Sequence, residues 1–157
     1  MAELTREQLI YLIAMNSGNG LTLRGVNLSN LDLRYLCLED ANLEFANLNA
    51  TSLAHASMLR IMLRKAKLEY ADLNEADLRS ANLRDASLVG ADLRSVNLTE
   101  ADLSYADLRS ANLRGANLAR ANFWRTDLTG ANLVFANIEG AKGLPVDIDK
   151  WINKEKF

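Results

Sequence analysis

The chain has 157 residues, 49% of them apolar but only 6% aromatic, and it balances 18 Lys and Arg against 20 Asp and Glu for a formal charge of −2. That length suits one domain with a sizeable core. The charge balance excludes a strongly basic nucleic-acid binder and a disordered acidic tail, and the lone Cys37 excludes an intramolecular disulfide, so packing has to supply the stability.

At the N-terminus, Thr5 and Gln8 predict a capping box that opens a helix from about Arg6 to Met15. Leu9, Ile10, Leu12 and Ile13 are expected on one face of it, and Ser17-Gly18-Asn19-Gly20 breaks it. Glu3, Arg6 and Glu7 stand where a signal peptide wants positive charge, and Gln8 interrupts the apolar run. No stretch approaches a membrane span. The expectation is a cytoplasmic protein with no membrane partner.

From residue 21 onward the sequence repeats in fives. Apolar centres run without insertion from Leu23 through Met58, Leu93 and Phe123 to Ile138, 24 in all. Two places before most centres sits Ala, and one place before them usually Asp or Asn. Internal repetition of this kind is read before anything else. On an α-helix a five-residue period would advance each leucine by about 140° and scatter the set. On an extended piece, residues two apart share a side, so Ala and Leu point inward together. The remaining two residues, such as Arg-Ser or Thr-Gly, suit a turn.

Four such sides close a square coil of about 20 residues, and successive coils pair about 4.8 Å apart. Right-handed winding follows from the general preference for right-handed crossovers. The 24 units predict six coils in an all-β solenoid about 29 Å long. The narrow interior accepts four large residues per coil only if their inward neighbours are small.

Beyond the coils, Leu144, Ile148, Trp151 and Ile152 follow Pro145 at helical spacing and predict a short helix over the last coil. The division is thus 1–20 for a capping helix and linker, 21–140 for the solenoid and 141–157 for a C-terminal cap. Bulky Leu21, Val26, Leu31 and Leu36 are expected to fill the lumen beneath the first cap. Trp151 and Phe157 are read as exposed, which leaves the chain a monomer or a weak dimer.

The units ADLRS, ANLRD, ADLSY and ANLRG resemble the A(D/N)LXX signature of the pentapeptide-repeat family, and the resemblance covers residues 21–140. It implies a right-handed quadrilateral β-helix, in agreement with the geometry above. Similar cyanobacterial members, some with an N-terminal helix, imply a regulatory or unassigned role. Fluoroquinolone-resistance members imply an alternative, a DNA mimic acting on a type II topoisomerase. That alternative asks for pronounced negative charge, whereas residues 21–140 hold 13 Lys and Arg against 15 Asp and Glu.

Nothing in the sequence assembles a catalytic or metal site. His55 is the sole histidine, and Ser52 beside it has no orienting carboxylate implied by position. One His and one Cys give no ligand set. We therefore expect no enzyme activity, no cofactor, no small-molecule substrate and no direct nucleic-acid contact. Variation is confined to outward columns, which points to an unidentified protein partner. One wall carries Arg24, Glu44, Arg64, Arg84, Ser104 and Trp124 beside Gly25, Phe45, Lys65, Asp85, Tyr105 and Arg125. Arginine and aromatic anchors dominate protein interfaces, so Arg64, Arg84, Tyr105 and Trp124 are the candidate partner-binding residues.

Overall fold

The computed structural model describes residues 4–16 and 20–152. Its body is a four-sided solenoid in which parallel bridges join residues 20 apart, from Thr22 with Asn42 to Asn122 with Lys142. Each extended piece contributes one bridging residue, so every wall is a sheet built one rung at a time. We number the walls by the centres of the first coil: first wall Leu23, second Leu28, third Leu33, fourth Leu38.

The unit 41–45 shows how five residues make one side. The Asn42 N–H donates down to the Leu21 carbonyl at 2.7 Å, and the Leu43 N–H donates up to Met62 at 2.8 Å. The Ala46 N–H closes a turn onto the Leu43 carbonyl at 3.0 Å. Within that turn the Glu44 N–H donates to Asn42 Oδ1 at 3.1 Å. The fifth residue, Phe45, has a φ of 61°, which sends its own N–H up to the Arg64 carbonyl at 3.0 Å. All backbone donors of a unit are thereby used.

Every turn from Gly25 to Gly140 repeats the positive φ at its fifth residue, and 19 of those residues are not glycine. A left-handed backbone costs an L-residue on the order of 1 kcal/mol. The turn bond, the inter-coil bond and the side-chain bond from the preceding Asp or Asn offset it. This last bond explains the consensus: Asp and Asn each offer an Oδ1 to the N–H two residues on, as Asp92 does to Arg94 at 3.1 Å and Asn97 to Thr99 at 3.1 Å.

Inside, every centre from Leu23 to Leu133 is buried, with alanines packed between them. Two polar residues replace that alanine and turn their hydroxyls onto the coil below. Thr51 donates to the Leu28 carbonyl at 2.8 Å and Thr126 to Leu103 at 2.7 Å. Neither leaves a buried hydroxyl unpaired.

Helix α1 (Arg6–Met15) opens with the capping box between Thr5 and Gln8. Leu9 is fully buried, and Leu12 and Ile13 pack with Leu21, Val26, Leu31 and Leu36 against the core. Ile10 departs from the expected apolar face: one 100° step past Leu9 leaves it 42% exposed. Arg6 anchors the helix by donating to the Asp32 carbonyl and pairing with its carboxylate at 3.5 Å.

At the other end the expected helix shrinks to the single turn α2 (Asp149–Ile152). Ile148 is buried, and the Ile152 carbonyl accepts from the Phe135 N–H at 3.2 Å. Trp151, read from sequence as exposed, is half-buried against the core. Gly143 makes the approach possible, since a Cβ there would run into the Trp124 backbone. The Ser17–Asn19 break and Phe157 lie outside the described residues.

The Asp-Leu-Arg units stack charge on the turn. Arg34, Arg79, Arg94 and Arg109 each donate through Nε and Nη2 to the Asp two residues before, with the closest N···O distances at 2.6–2.7 Å. The guanidinium hydrogen bond is the main cause that holds Asp32, Asp77, Asp92 and Asp107 below the ordinary carboxylate range.

Asp92→Asn keeps the Oδ1 acceptor and loses only the exposed ion pair, so it should change stability by less than about 0.5 kcal/mol in urea melts. Asp92→Ala also strips the turn bond and should cost about 1 kcal/mol. Because the folded pKa values are depressed, the stabilisation is present above the unfolded carboxylate pKa of about 4 and is lost as pH falls through the folded values. The melting temperature should therefore decline on the acid side below about pH 4. Replacing the four aspartates together by Asn should flatten that decline, as followed by circular dichroism.

Candidate functional site

Leucine and alanine occupy the interior, so only the ends and outer walls can meet another molecule. Shallow concavities lie at the ends, one of about 350 Å³ between Gly130–Val134 and Trp151, another of about 570 Å³ between α1 and Asn27–Leu31. Among the described residues, no group of three His, Cys, Asp or Glu side chains is placed to hold a metal ion. No helix among them is long and apolar enough to cross a membrane.

On the third wall His55 lies in a column with Tyr35 below and Glu75 above. The Tyr35 and His55 rings stack at 5.0 Å between centroids, 1° from parallel, and His55 Nδ1 is 3.4 Å from Glu75 Oε2. The 20-residue offset thus supplies His55 with a carboxylate that neighbouring sequence does not reveal. Among the described residues no hydrogen bond joins Ser52 to His55, and Tyr35, His55 and Glu75 form a stacked surface column.

The first wall differs from the others in charge. Its outward columns carry six cations, Arg24, Arg64, Lys65, Arg84, Arg125 and Lys142, against Glu44, Asp85 and Asp102, a net of +3. Counted the same way, the second and third walls each carry −1 and the fourth −2. The first wall also exposes three aromatics: Phe45, Tyr105 and Trp124, the last 56% accessible.

The four residues singled out from sequence all lie on this wall, and the structure connects three of them to neighbours. Arg84 lies over the Tyr105 ring at 5.0 Å, with Arg125 at 5.8 Å from the same centroid. Arg64 and Arg84 both lean toward Asp85, at 3.5 and 3.8 Å. Stacking between adjacent coils therefore accounts for part of the arrangement. Trp124 is tied only through its backbone, donating to Asn122 Oδ1 and accepting from the Tyr105 N–H at 2.9 Å. Ser104, expected on the outer column between Arg84 and Trp124, is 97% covered.

A distinction among arginines escapes the column reading. Arginines following Asp-Leu are locked on their own turn. Arg24, Arg64 and Arg84 follow Thr22, Met62 and Asn82, which cannot supply a carboxylate. Their ionic contacts, 3.4–3.8 Å to Glu44 and Asp85, are too long for good hydrogen bonds. All three stand on the first wall. The signal is in the sequence, as the missing Asp two residues before, but it acquires meaning only once the turn is known to present that Asp to the arginine.

Solved structures of similar proteins include trypsin-treated QnrB1, a plasmid-mediated fluoroquinolone resistance protein, 18% identical, with 80% of this chain and 67% of that chain covered and a TM-score of 0.49. They also include Rfr23 from the cyanobacterium Cyanothece 51142, 27% identical over 85% of this chain and 94% of that one, TM-score 0.45. HetL, involved in heterocyst differentiation regulation in the cyanobacterium Nostoc sp. strain PCC 7120, is 26% identical over 90% and 93%, TM-score 0.40. The chain spans about two thirds of the length of the trypsin-treated QnrB1 chains. No curated protein matches it in sequence. The pentapeptide-repeat pattern itself matches in eight copies, over residues 41–79, 76–115 and 106–142. With that pattern across most of its length and its coils stacked 20 residues apart, the chain belongs to the pentapeptide-repeat family of right-handed quadrilateral β-helices.

Proposed function

We propose that this pentapeptide-repeat protein is a non-enzymatic interaction module, a rigid rod that docks another protein on its first wall through Arg64, Arg84, Tyr105 and Trp124. One observation carries the reading: the first wall alone combines net positive charge with a group of exposed aromatics. Large flat side chains and arginines lose little freedom on docking relative to the area they cover, which is why they recur as interface anchors. A packed lumen and coils cross-bonded on every side give these anchors a fixed spacing before any partner arrives, which reduces the ordering cost of association. A cytoplasmic setting belongs to the same reading.

The wall charges give a DNA mimic no support. Such a surface needs a continuous negative field, whereas here each Asp-Leu-Arg unit neutralises itself and the first wall is positive. The purified protein should leave DNA supercoiling by a type II topoisomerase unchanged at every dose; dose-dependent inhibition would restore that alternative.

A photoreactive benzoylphenylalanine in place of Trp124 should crosslink to a discrete protein in the native cell. The same residue in place of Tyr70, on the second wall, should not. Failure of the Trp124 position to crosslink, or equal crosslinking at both, removes the docking assignment.

A further inference from the structure

Building on the docking reading, we infer that the first wall recognises an acidic, extended segment of its partner with an aromatic residue four positions from a carboxylate. Three features of the wall carry this.

The first is donor availability. Elsewhere on the rod, arginines after Asp-Leu have one N–H edge occupied by bidentate bonds whose shorter arm is 2.6–2.7 Å. Arg64 and Arg84 instead share one carboxylate, Asp85, at 3.5 and 3.8 Å. Two guanidiniums on one acid leave a surplus positive charge, and both side chains are 46% exposed. Lys65 beside them has no ionic partner among the described residues. An incoming carboxylate would find bidentate donors without first breaking a good bond.

The second is spacing. Arg64, Arg84 and Trp124 stand in one column, and successive coils lie about 4.8 Å apart. Arg64 is three coils from Trp124, a distance of about 14 Å by that spacing. An extended chain covers it in four residues at about 3.4 Å each, and residues four apart point to the same side. A segment lying along the rod axis thus sets a carboxylate over the arginines and an aromatic against Trp124 together. Ser104, between Arg84 and Trp124 in the column, is buried and presents no bulky side chain to such a segment.

The third is sign. The first wall is the rod's positive face, and its complement is acidic. Nucleic acid fits less well, because Glu44, Asp85 and Asp102 interrupt the cations where a phosphate row needs an unbroken line.

The test uses the full chain and a fluorescein-labelled peptide, Asp-Glu-Ser-Gly-Ser-Phe, followed by fluorescence anisotropy. It should bind at least tenfold tighter than its Lys-Lys counterpart and than a version in which one added Ser sets Phe five positions from Glu. Arg64→Glu with Arg84→Glu should weaken it at least tenfold, and Trp124→Ala at least threefold. Arg94→Glu on the opposite wall should leave it unchanged. Circular dichroism checks the coil, and Arg64→Gln with Arg84→Gln removes the charges without reversing them should the Glu pair disturb it. Equal binding of the Lys-Lys peptide, indifference to both arginine pairs, or tighter binding of a 12-nucleotide DNA strand overturns the inference. If the peptide fails while benzoylphenylalanine at 124 still crosslinks, the acidic segment is wrong and the docking wall stands. Loss of both removes the wall as well.

Discussion

Four leucines meet across each coil with alanines between them, and this filled square cross-section is the constraint on which the rest depends. Its width favours one large residue per side, so the second inward position is mostly alanine, with Ile61 and Val96 the larger residues buried there. Where it is not, as at Thr51, the side chain is no larger than the site allows and satisfies its hydroxyl on the coil below. At the N-terminal end the constraint relaxes. There Leu21, Val26, Leu31 and Leu36 replace alanine, because they meet α1 instead of another coil.

A lumen so tightly filled forces the chain to turn a corner every five residues, and it can do so only with a left-handed residue at each corner. The chain accepts that backbone cost at 19 non-glycine positions. Inter-coil bonding uses the N–H of the same residue, so the strained conformation and the ladder support one another. Asp and Asn recur one place before leucine for the same reason. They complete the turn from the outside, and their equivalence as acceptors lets charge vary across the surface without altering the coil.

That freedom separates two populations of arginine. After Asp-Leu the guanidinium closes on its own turn and neutralises it, so a wall built from such units carries little net field. After Met62-Leu63 or Asn82-Leu83 it lacks the bidentate aspartate and makes only the long contacts to Asp85. Function on this fold is therefore written by which turns lack the aspartate. The first wall gathers several such turns beside Tyr105 and Trp124, whereas the fourth wall spends its cations on Asp40, Asp77 and Glu100.

Periodicity alone determined the coil, its 20-residue circumference, the buried leucines and the columns, because a fixed register leaves no choice about which side chain stands above which. It also marked α1 through its capping box. The C-terminal helix was legible only in part: apolar spacing after Pro145 indicates a packed face, but residues 146–148 run as turns and only Asp149–Ile152 is helical among the described residues. Ile10 on the exposed side of α1 and the half-buried Trp151 likewise depend on how an end segment seats against the last available coil. Glu75 beside His55, the sinking of Ser104 and the divided allegiance of Asp85 are side-chain geometry between coils. Column order names such neighbours, and only the tertiary structure decides which of them touch, because rotamers and turn angles set reach within a 4.8 Å rise of about one side-chain width.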